Sequence, residues 1–465
     1  MAIEHIITGA AGRAAGIFQP VEREGPPIPD GPVLVVANHP NSLLDPLIIF
    51  RVAGRPTRPL AKAPLFEQAF IGTLLRGLGG LPVFRPKDDP SLTHRNDETF
   101  AAAIAALHAG DAVQIYPEGQ SHSEPSMTPL RTGAARIALR AEAERDWTLG
   151  LRIVPIGLTY ARKTQFRGRT LARVGAPITI AHYRDAYEAD PQAAVRALTA
   201  DIAAALESVT LNFTAQEDAD LVDVAERLYS RETGQARWRE RDPLRERLPR
   251  MQAFARGLAW LRAHDPERHK RLARDVRRYG RYTRLFGAAE GDVPPSYRFW
   301  PTLRYVLVET AVLLLGLPLG VIGSILWYPA WIAPKYSLKL IRPGHDAIAT
   351  YKLATGFVAV PATLLLVFVI TARLADLRWA AAAAAIAVAL GFVTIAWRER
   401  WQRVRADSLL FLRVLTRSRE RALLAEQRAA LVAEFESIAA LLDNASSTAG
   451  TREMDAAAQP AYIRG

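Results

Sequence analysis

A histidine and an aspartate stand close together in Asn38-His39-Pro40-Asn41-Ser42-Leu43-Leu44-Asp45-Pro46, directly after the apolar run Val33–Ala37. An imidazole oriented by a carboxylate is the minimum equipment for taking a proton from an alcohol. A turn and a first helical turn across Pro40–Leu44 bring Asp45 back toward the ring. There the carboxylate fixes the tautomer and leaves the far nitrogen ready to accept a proton. The competing reading makes Asp45 a plain turn or helix residue beside Pro46.

A second polar stretch, Tyr116-Pro117-Glu118-Gly119, follows another apolar run, Ala112–Tyr116. It reads either as an ordinary turn or as a site. In the second case Gly119 lets the backbone approach a ligand and Glu118 accepts a hydrogen bond from a substrate hydroxyl. Arg85, closing Gly79–Arg85, is a candidate phosphate partner because guanidinium binds phosphate bidentately. Lys62 and Arg131 are candidates for the same anion, and each of the three also reads as a solvated cation.

The rest of the composition narrows the chemistry. The 465 residues include no cysteine, which removes thiol nucleophiles, disulfides and cysteine metal sites. There is no Gly-rich loop ending in Lys-Ser/Thr, no H-E-x-x-H and no G-x-S-x-G, so Ser42 or Ser121 as a hydrolase nucleophile has no motif behind it. A formal net charge of +12 calls for an anionic partner. The apolar segments described next favour lipid over nucleic acid.

The elements that must position these residues alternate. Val33–Ala37, Ala112–Tyr116 and Ile153–Tyr160 read as buried strands, and Asp97–His108 and Thr132–Glu144 as helices. This is the pattern of an α/β domain over residues 31–210. Residues 1–30 do not look like a secretory signal, since Glu4 and His5 come early and no apolar core follows. A weakly amphipathic helix over His5–Phe18 lies on a bilayer or packs on the folded domain. Residues 211–297 read as a charged helical unit, 399–444 as a C-terminal helix, and 445–465 as a disordered tail. Between them, Val306–Ala333, Leu353–Ala372 and Trp379–Trp397 are long and apolar enough for a bilayer. Val306–Ala333, long for one span and carrying Pro318, reads as a tilted span or a re-entrant hairpin, and the charge flanks favour Leu353–Trp397 as the crossing pair with the first segment dipping in and returning.

Taken in order, His39…Asp45, the G-x-P-V-x-R run ending at Arg85, Tyr116–Gly119 and Ile153-Val154-Pro155-Ile156 resemble the four blocks of the glycerolipid (PlsC-type) acyltransferases. The commonest family pattern has four residues between histidine and aspartate; Pro40–Leu44 make five. That spacer, with Tyr116-Pro117-Glu118-Gly119-Gln120-Ser121-His122-Ser123-Glu124-Pro125, is similar to the glycerol-3-phosphate/dihydroxyacetone-phosphate acyltransferases of fungi. The resemblance implies a mixed sheet flanked by helices. It also implies acyl transfer from acyl-CoA or acyl carrier protein to a glycerol phosphate hydroxyl. His39 is then the base and Asp45 its orienting partner. Arg85, Glu118 and Gly119 hold the acceptor, and Pro155 shapes the pocket floor. No metal or cofactor and no nucleic acid is implied, and the catalytic domain faces the cytoplasm. Acylation of lysophosphatidic acid is the near alternative; a non-enzymatic membrane scaffold and a hydrolase are the remoter ones.

Overall fold

The computed structural model describes residues 2–84, 95–213, 215–232, 243–285, 299–416 and 418–457. It divides into two compact units: residues 1–212, 243–245 and 329–362 form the first, and the remainder forms the second.

The first unit is built on a sheet of β1 (Val21–Glu24), β2 (Val33–Ala37), β3 (Thr57–Lys62), β4 (Leu81–Val83), β5 (Ala112–Ile115), β6 (Arg152–Tyr160), β7 (Thr170–Val174) and β8 (Ile178–Thr179). The spatial order is β1-β7-β6-β2-β5-β3-β4, with β8 also paired to β6. Strands β2 to β6 are mutually parallel through β2–β5, β2–β6, β3–β5 and β3–β4, while β7 runs antiparallel to β6. After β2 the chain skips outward to β3 and β4, then returns to insert β5 beside β2. The loops leaving β2 and β5 therefore stand next to each other at one carboxyl edge, the place where open α/β sheets build sites.

Helices α1 (Ala2–Phe18), α2 (Leu44–Ala53), α3 (Pro64–Glu67), α4 (Ala69–Gly77), α5 (Asn96–His108), α6 (Gly133–Ala143), α7 (Arg184–Ala189) and α8 (Pro191–Val209) accompany the sheet. Alternation of side chains along β2 separates two cores. Val33, Val35 and Ala37 pack with Ala11, Ala15, Leu47 and Ile48, whereas Leu34 and Val36 pack with Ile104, Ile137, Leu198 and Ile202. The α1 helix buries Ala11, Ala15 and Phe18 in the core of this unit.

The second unit contains α9 (Gln216–Glu232), α10 (Leu244–His264, from Glu246), α11 (Pro266–Leu285) and α16 (Ser418–Ala457), which share a core of Leu228, Leu261, Val276, Tyr279 and Leu431. Further helices are α12 (Phe299–Leu326), α13 (Tyr328–Ile341), α14 (Ile348–Leu374) and α15 (Leu377–Thr416). Leu303–Leu326, Ile348–Leu374 and Leu377–Leu410 are long and apolar enough to cross a membrane, and only 17%, 11% and 17% of their apolar windows is buried by protein.

The first apolar segment is one continuous helix through Pro318 as far as Leu326, with a break at Trp327. Two expectations change here. The third span does not end at residue 398 but continues as α15 to Thr416. Helix α16 carries on through the expected disordered tail as far as Ala457. Helices α12 and α15 run antiparallel: Trp397 Nε1 donates to Leu313 O at 3.0 Å and Trp327 Nε1 to Ala387 O at 3.1 Å. Gly316 and Gly320 let the Trp397 ring lie against the α12 backbone, the small-residue contact that drives helix pairing in lipid.

Candidate active site

His39 leaves the carboxyl end of β2, and the chain turns so that α2 begins at Leu44 with Asp45 in its first turn. The turn is tight. Leu44 N donates to Asn41 O at 3.0 Å and Asp45 N to Ser42 O at 3.3 Å, with Ser42 at a positive φ of 41°. This brings Asp45 Oδ2 to 2.8 Å from His39 Nδ1. Asn41 N donates to the same oxygen at 2.7 Å, and the Tyr160 hydroxyl donates to Oδ1 at 2.5 Å. Asp45 is fully buried, and a buried carboxylate with three donors is held in one orientation. Its position in the first turn of α2 also sets it at the positive end of the helix dipole.

With Nδ1 facing a carboxylate, the proton sits on Nδ1 and the lone pair points out from Nε2. Nε2 has no hydrogen-bond partner among the described residues, and the side chain is 18% exposed, enough for a substrate to reach it. Tyr116 stacks on the ring at 4.0 Å between centroids and 17° between planes. Its hydroxyl donates to Gln114 Oε1 at 3.2 Å, and Gln114 in turn donates to Thr57. Burial, followed by the charge of Asp45, pushes both Tyr116 and Tyr160 well above their ordinary value, so both phenols stay neutral donors.

Glu118 is also buried, and its contacts differ from the sequence expectation. Oε1 accepts from the His39 backbone N–H at 2.9 Å. Oε2 accepts from Thr128 N at 2.8 Å and from His122 Nε2. Both oxygens accept from protein groups, and through Oε1 Glu118 fixes the main chain of His39. Gly119 adopts φ +74°, and the Arg131 side chain lies over it, occupying the space of a Cβ. Arg131 thus lies against Gly119, and Lys62 lies exposed at the carboxyl end of β3 on the same sheet edge. Arg85 lies outside the described residues.

Pro155 is not at that edge. It sits mid-strand in β6, in register with Val36, with its carbonyl accepting from Gly175 N at 2.8 Å. Three residues of strand separate that level from His39, roughly 10 Å at about 3.3 Å each. Pro155 is buried within the sheet, below the level of His39.

Several residues here were not singled out from sequence. Tyr160, at the end of the third buried strand, and His122, within the stretch after Gly119, both carried a positional signal. Asn38 carried one too, ahead of His39; its amide clamps Leu158, accepting from the backbone N at 2.7 Å and donating to the carbonyl at 3.1 Å.

Residues 20–159 match the family model described as Acyltransferase. The chain carries an acyltransferase domain. Glycerol-3-phosphate O-acyltransferase 2 of Saccharomyces cerevisiae is 30% identical over 290 residues, covering 57% of this chain and 37% of the yeast protein. Glycerol-3-phosphate O-acyltransferase 1 of the same yeast is 26% identical over 54% of this chain and 34% of its own length. An uncharacterised acyltransferase of Schizosaccharomyces pombe is 26% identical over 75% of this chain and 64% of its own. The chain therefore spans between about a third and just under two thirds of the length of these relatives. Among solved structures, the 1-acyl-sn-glycerophosphate (LPA) acyltransferase PlsC from Thermotoga maritima aligns at 22% identity and a TM-score of 0.30 over 38% of this chain and 68% of that one. The acyltransferase domain holds the whole His39–Asp45–Glu118 constellation within its matched residues.

Proposed function

We propose that this protein is a membrane-bound O-acyltransferase that moves a fatty acyl group from acyl-CoA or acyl carrier protein to the hydroxyl of glycerol-3-phosphate or dihydroxyacetone phosphate. The observation that carries the reading is the 2.8 Å contact of His39 Nδ1 with a buried Asp45, which leaves Nε2 facing outward beside Tyr116. Nε2 removes the proton as the acceptor oxygen attacks the thioester carbonyl carbon. Asp45 stabilises the imidazolium that forms. The tetrahedral intermediate collapses with cleavage of the C–S bond, and the departing thiolate takes the proton back from His39. Glu118 and Asn38 hold the histidine backbone in place. Arg131 and Lys62, with Arg85 assigned by resemblance alone, supply charge for the acceptor phosphate.

The yeast relatives' names support the first acylation step over acylation of lysophosphatidic acid. Apolar helices support a catalytic domain held at the membrane, on the cytoplasmic side where soluble acyl donors are made. The test is transfer of labelled acyl-CoA by purified protein in liposomes to glycerol-3-phosphate, dihydroxyacetone phosphate or lysophosphatidic acid, with His39→Ala alongside. Labelled lysophosphatidic acid from glycerol-3-phosphate, or its keto counterpart from dihydroxyacetone phosphate, is expected and vanishes in the variant. Product only from lysophosphatidic acid moves the enzyme to the second step. Free fatty acid alone identifies a hydrolase, and activity unaffected by His39→Ala overturns the mechanism.

A further inference from the structure

Ser42 lies within Pro40–Leu44, the five residues between His39 and Asp45, and stands at φ +41°. A non-glycine residue there is strained and persists only where its surroundings hold it. What holds it comes from a distant part of the sequence. Ser42 Oγ donates to Asp346 Oδ2 at 3.0 Å, across a sequence separation of 304 residues. Ser121 Oγ, from the loop after β5, donates to the same oxygen at 2.5 Å, and the two serine hydroxyls lie 2.8 Å apart. Asp346 therefore ties together the two loops that carry His39 and Glu118.

Its neighbours extend the tie. Thr350 Oγ1 accepts from Leu43 N at 3.1 Å, and Lys352 Nζ donates to Thr164 O at 2.6 Å in the loop after β6. His345 Nδ1 lies 3.3 Å from Ser123 Oγ. Lys163 completes the bridge, donating to Pro40 O at 3.3 Å and to Ser123 Oγ at 2.6 Å. Ala349 and Leu353 are buried in the same core as Leu44 and Leu47 of α2. All these residues belong to the first compact unit. Of these, His345 and Asp346 lie in the turn before α14 and Ala349, Thr350, Lys352 and Leu353 in its first turns, and α14 is one of three helices among the described residues apolar enough to cross a bilayer. Burial pushes the Asp346 carboxyl up, and the Ser121 and Ser42 hydroxyls with Lys163 outweigh it, so the group stands below its ordinary value and is ionised at neutral pH.

We infer that Asp346 is a positioning residue of the acyl-transfer site, and that the head of α14 is a built part of that site, holding the His39–Asp45 loop in its working geometry. The inference rests on the acyltransferase reading above. Loss of the carboxylate frees Ser42 to leave its strained conformation. The turn from Asn41 to Leu44 then relaxes, and Asp45 drifts from Nδ1. Displacements of about 1 Å at a reacting group cost up to roughly a hundredfold in rate.

The experiment uses the full chain in liposomes, comparing Asp346→Ala, Asp346→Asn, Ser42→Ala and the Ser42→Ala/Asp346→Ala pair by acyl-transfer kinetics and by amide hydrogen exchange. Asp346→Ala is expected to lower kcat about tenfold or more while the acceptor KM changes less than about twofold. Asp346→Asn, whose amide oxygen still accepts both hydroxyls, stays within about threefold of the parent. The double variant is no slower than Asp346→Ala alone, because both changes break one tie. Exchange at residues 39–45 accelerates in Asp346→Ala and not in Asp346→Asn. Unchanged kcat in Asp346→Ala, losses that multiply in the double variant, or unchanged exchange overturns the inference. Should Asp346→Ala not fold, Ser42→Ala against Asp346→Asn makes the same comparison. If the parent acylates no acceptor, the functional reading fails, and exchange at residues 39–45 still decides whether Asp346 holds the loop.

Discussion

Asp45 is bound from three directions, by His39 Nδ1, Asn41 N and the Tyr160 hydroxyl, and no water reaches it. Its worth to the reaction lies in the tautomer it selects. Asp45→Asn removes the charge that favours imidazolium and presents an amide N–H where an acceptor is needed. The expected loss in kcat is about 10²-fold to 10⁴-fold, with the acceptor KM little changed. Acyl-transfer kinetics check this, and a loss below about tenfold would remove Asp45 from the mechanism. Tyr160 belongs to stability as much as to chemistry. Its folded pKa is raised above the ordinary 10.0, first by burial and then by Asp45. The unfolded chain therefore gives up this proton at lower pH than the folded domain. The stabilisation is complete below about pH 10 and is lost as pH rises through the folded value. Thermal unfolding midpoints are expected to fall steeply above pH 10, and less steeply in Tyr160→Phe, which has no phenol to titrate. Identical slopes in the two proteins would show that another group governs the alkaline loss.

At the scale of elements, the outcome follows from how each strand is buried. β2, β5 and β6 are covered on both faces, so they appear in the sequence as largely apolar runs, and all three were legible. Thr57–Lys62, Leu81–Val83 and Val21–Glu24 were not, because short, half-exposed strands carry Pro, Arg and Glu that imitate loops, and Thr170–Val174, though mostly buried, is only five residues long and is interrupted by Arg173. The site divides the same way. The His39–Asp45 contact spans six residues and follows from local turn geometry. Tyr160 and Asp346 reach the site across 115 and 304 residues of chain, a distance at which no periodicity reports a contact. Helix seating was equally hidden. Gly157, in β6, lets the backbone at the end of α8 approach so closely that an added Cβ would stand 2.0 Å from Val209 O. Backbone on both sides cannot yield, so Gly157→Ala is expected to destabilise the domain by about 3 kcal/mol. Urea unfolding followed at Trp147 reads this out. An unchanged midpoint would mean that α8 shifts freely on the sheet.

Considered as a whole molecule, the chain pairs a strongly basic character with long apolar helices. Its net charge of +12 is a sum over both units, and it acts on every anion in solution regardless of which residue meets the substrate. Under the proposed reaction the acceptor is a small phosphate ester. Its encounter with the site is then helped by the long-range field as well as by close contacts. These two contributions separate by salt. The Debye length shrinks from about 30 Å at 0.01 M to about 3 Å at 1 M, which removes the field while leaving partly buried contacts largely intact. With acyl-CoA saturating, the acceptor KM is expected to rise several-fold between about 0.02 M and 0.5 M salt, while kcat changes little because Asp45 and Glu118 are buried. Steady-state kinetics at fixed lipid composition measure both. A KM indifferent to salt would place all phosphate recognition in close contacts such as Arg131, and would leave the basic excess to the anionic bilayer surface beside the apolar helices. A kcat that falls together with kcat/KM would instead mean that a solvent-screened charge acts in the transition state, beyond the buried carboxylates of Asp45 and Glu118.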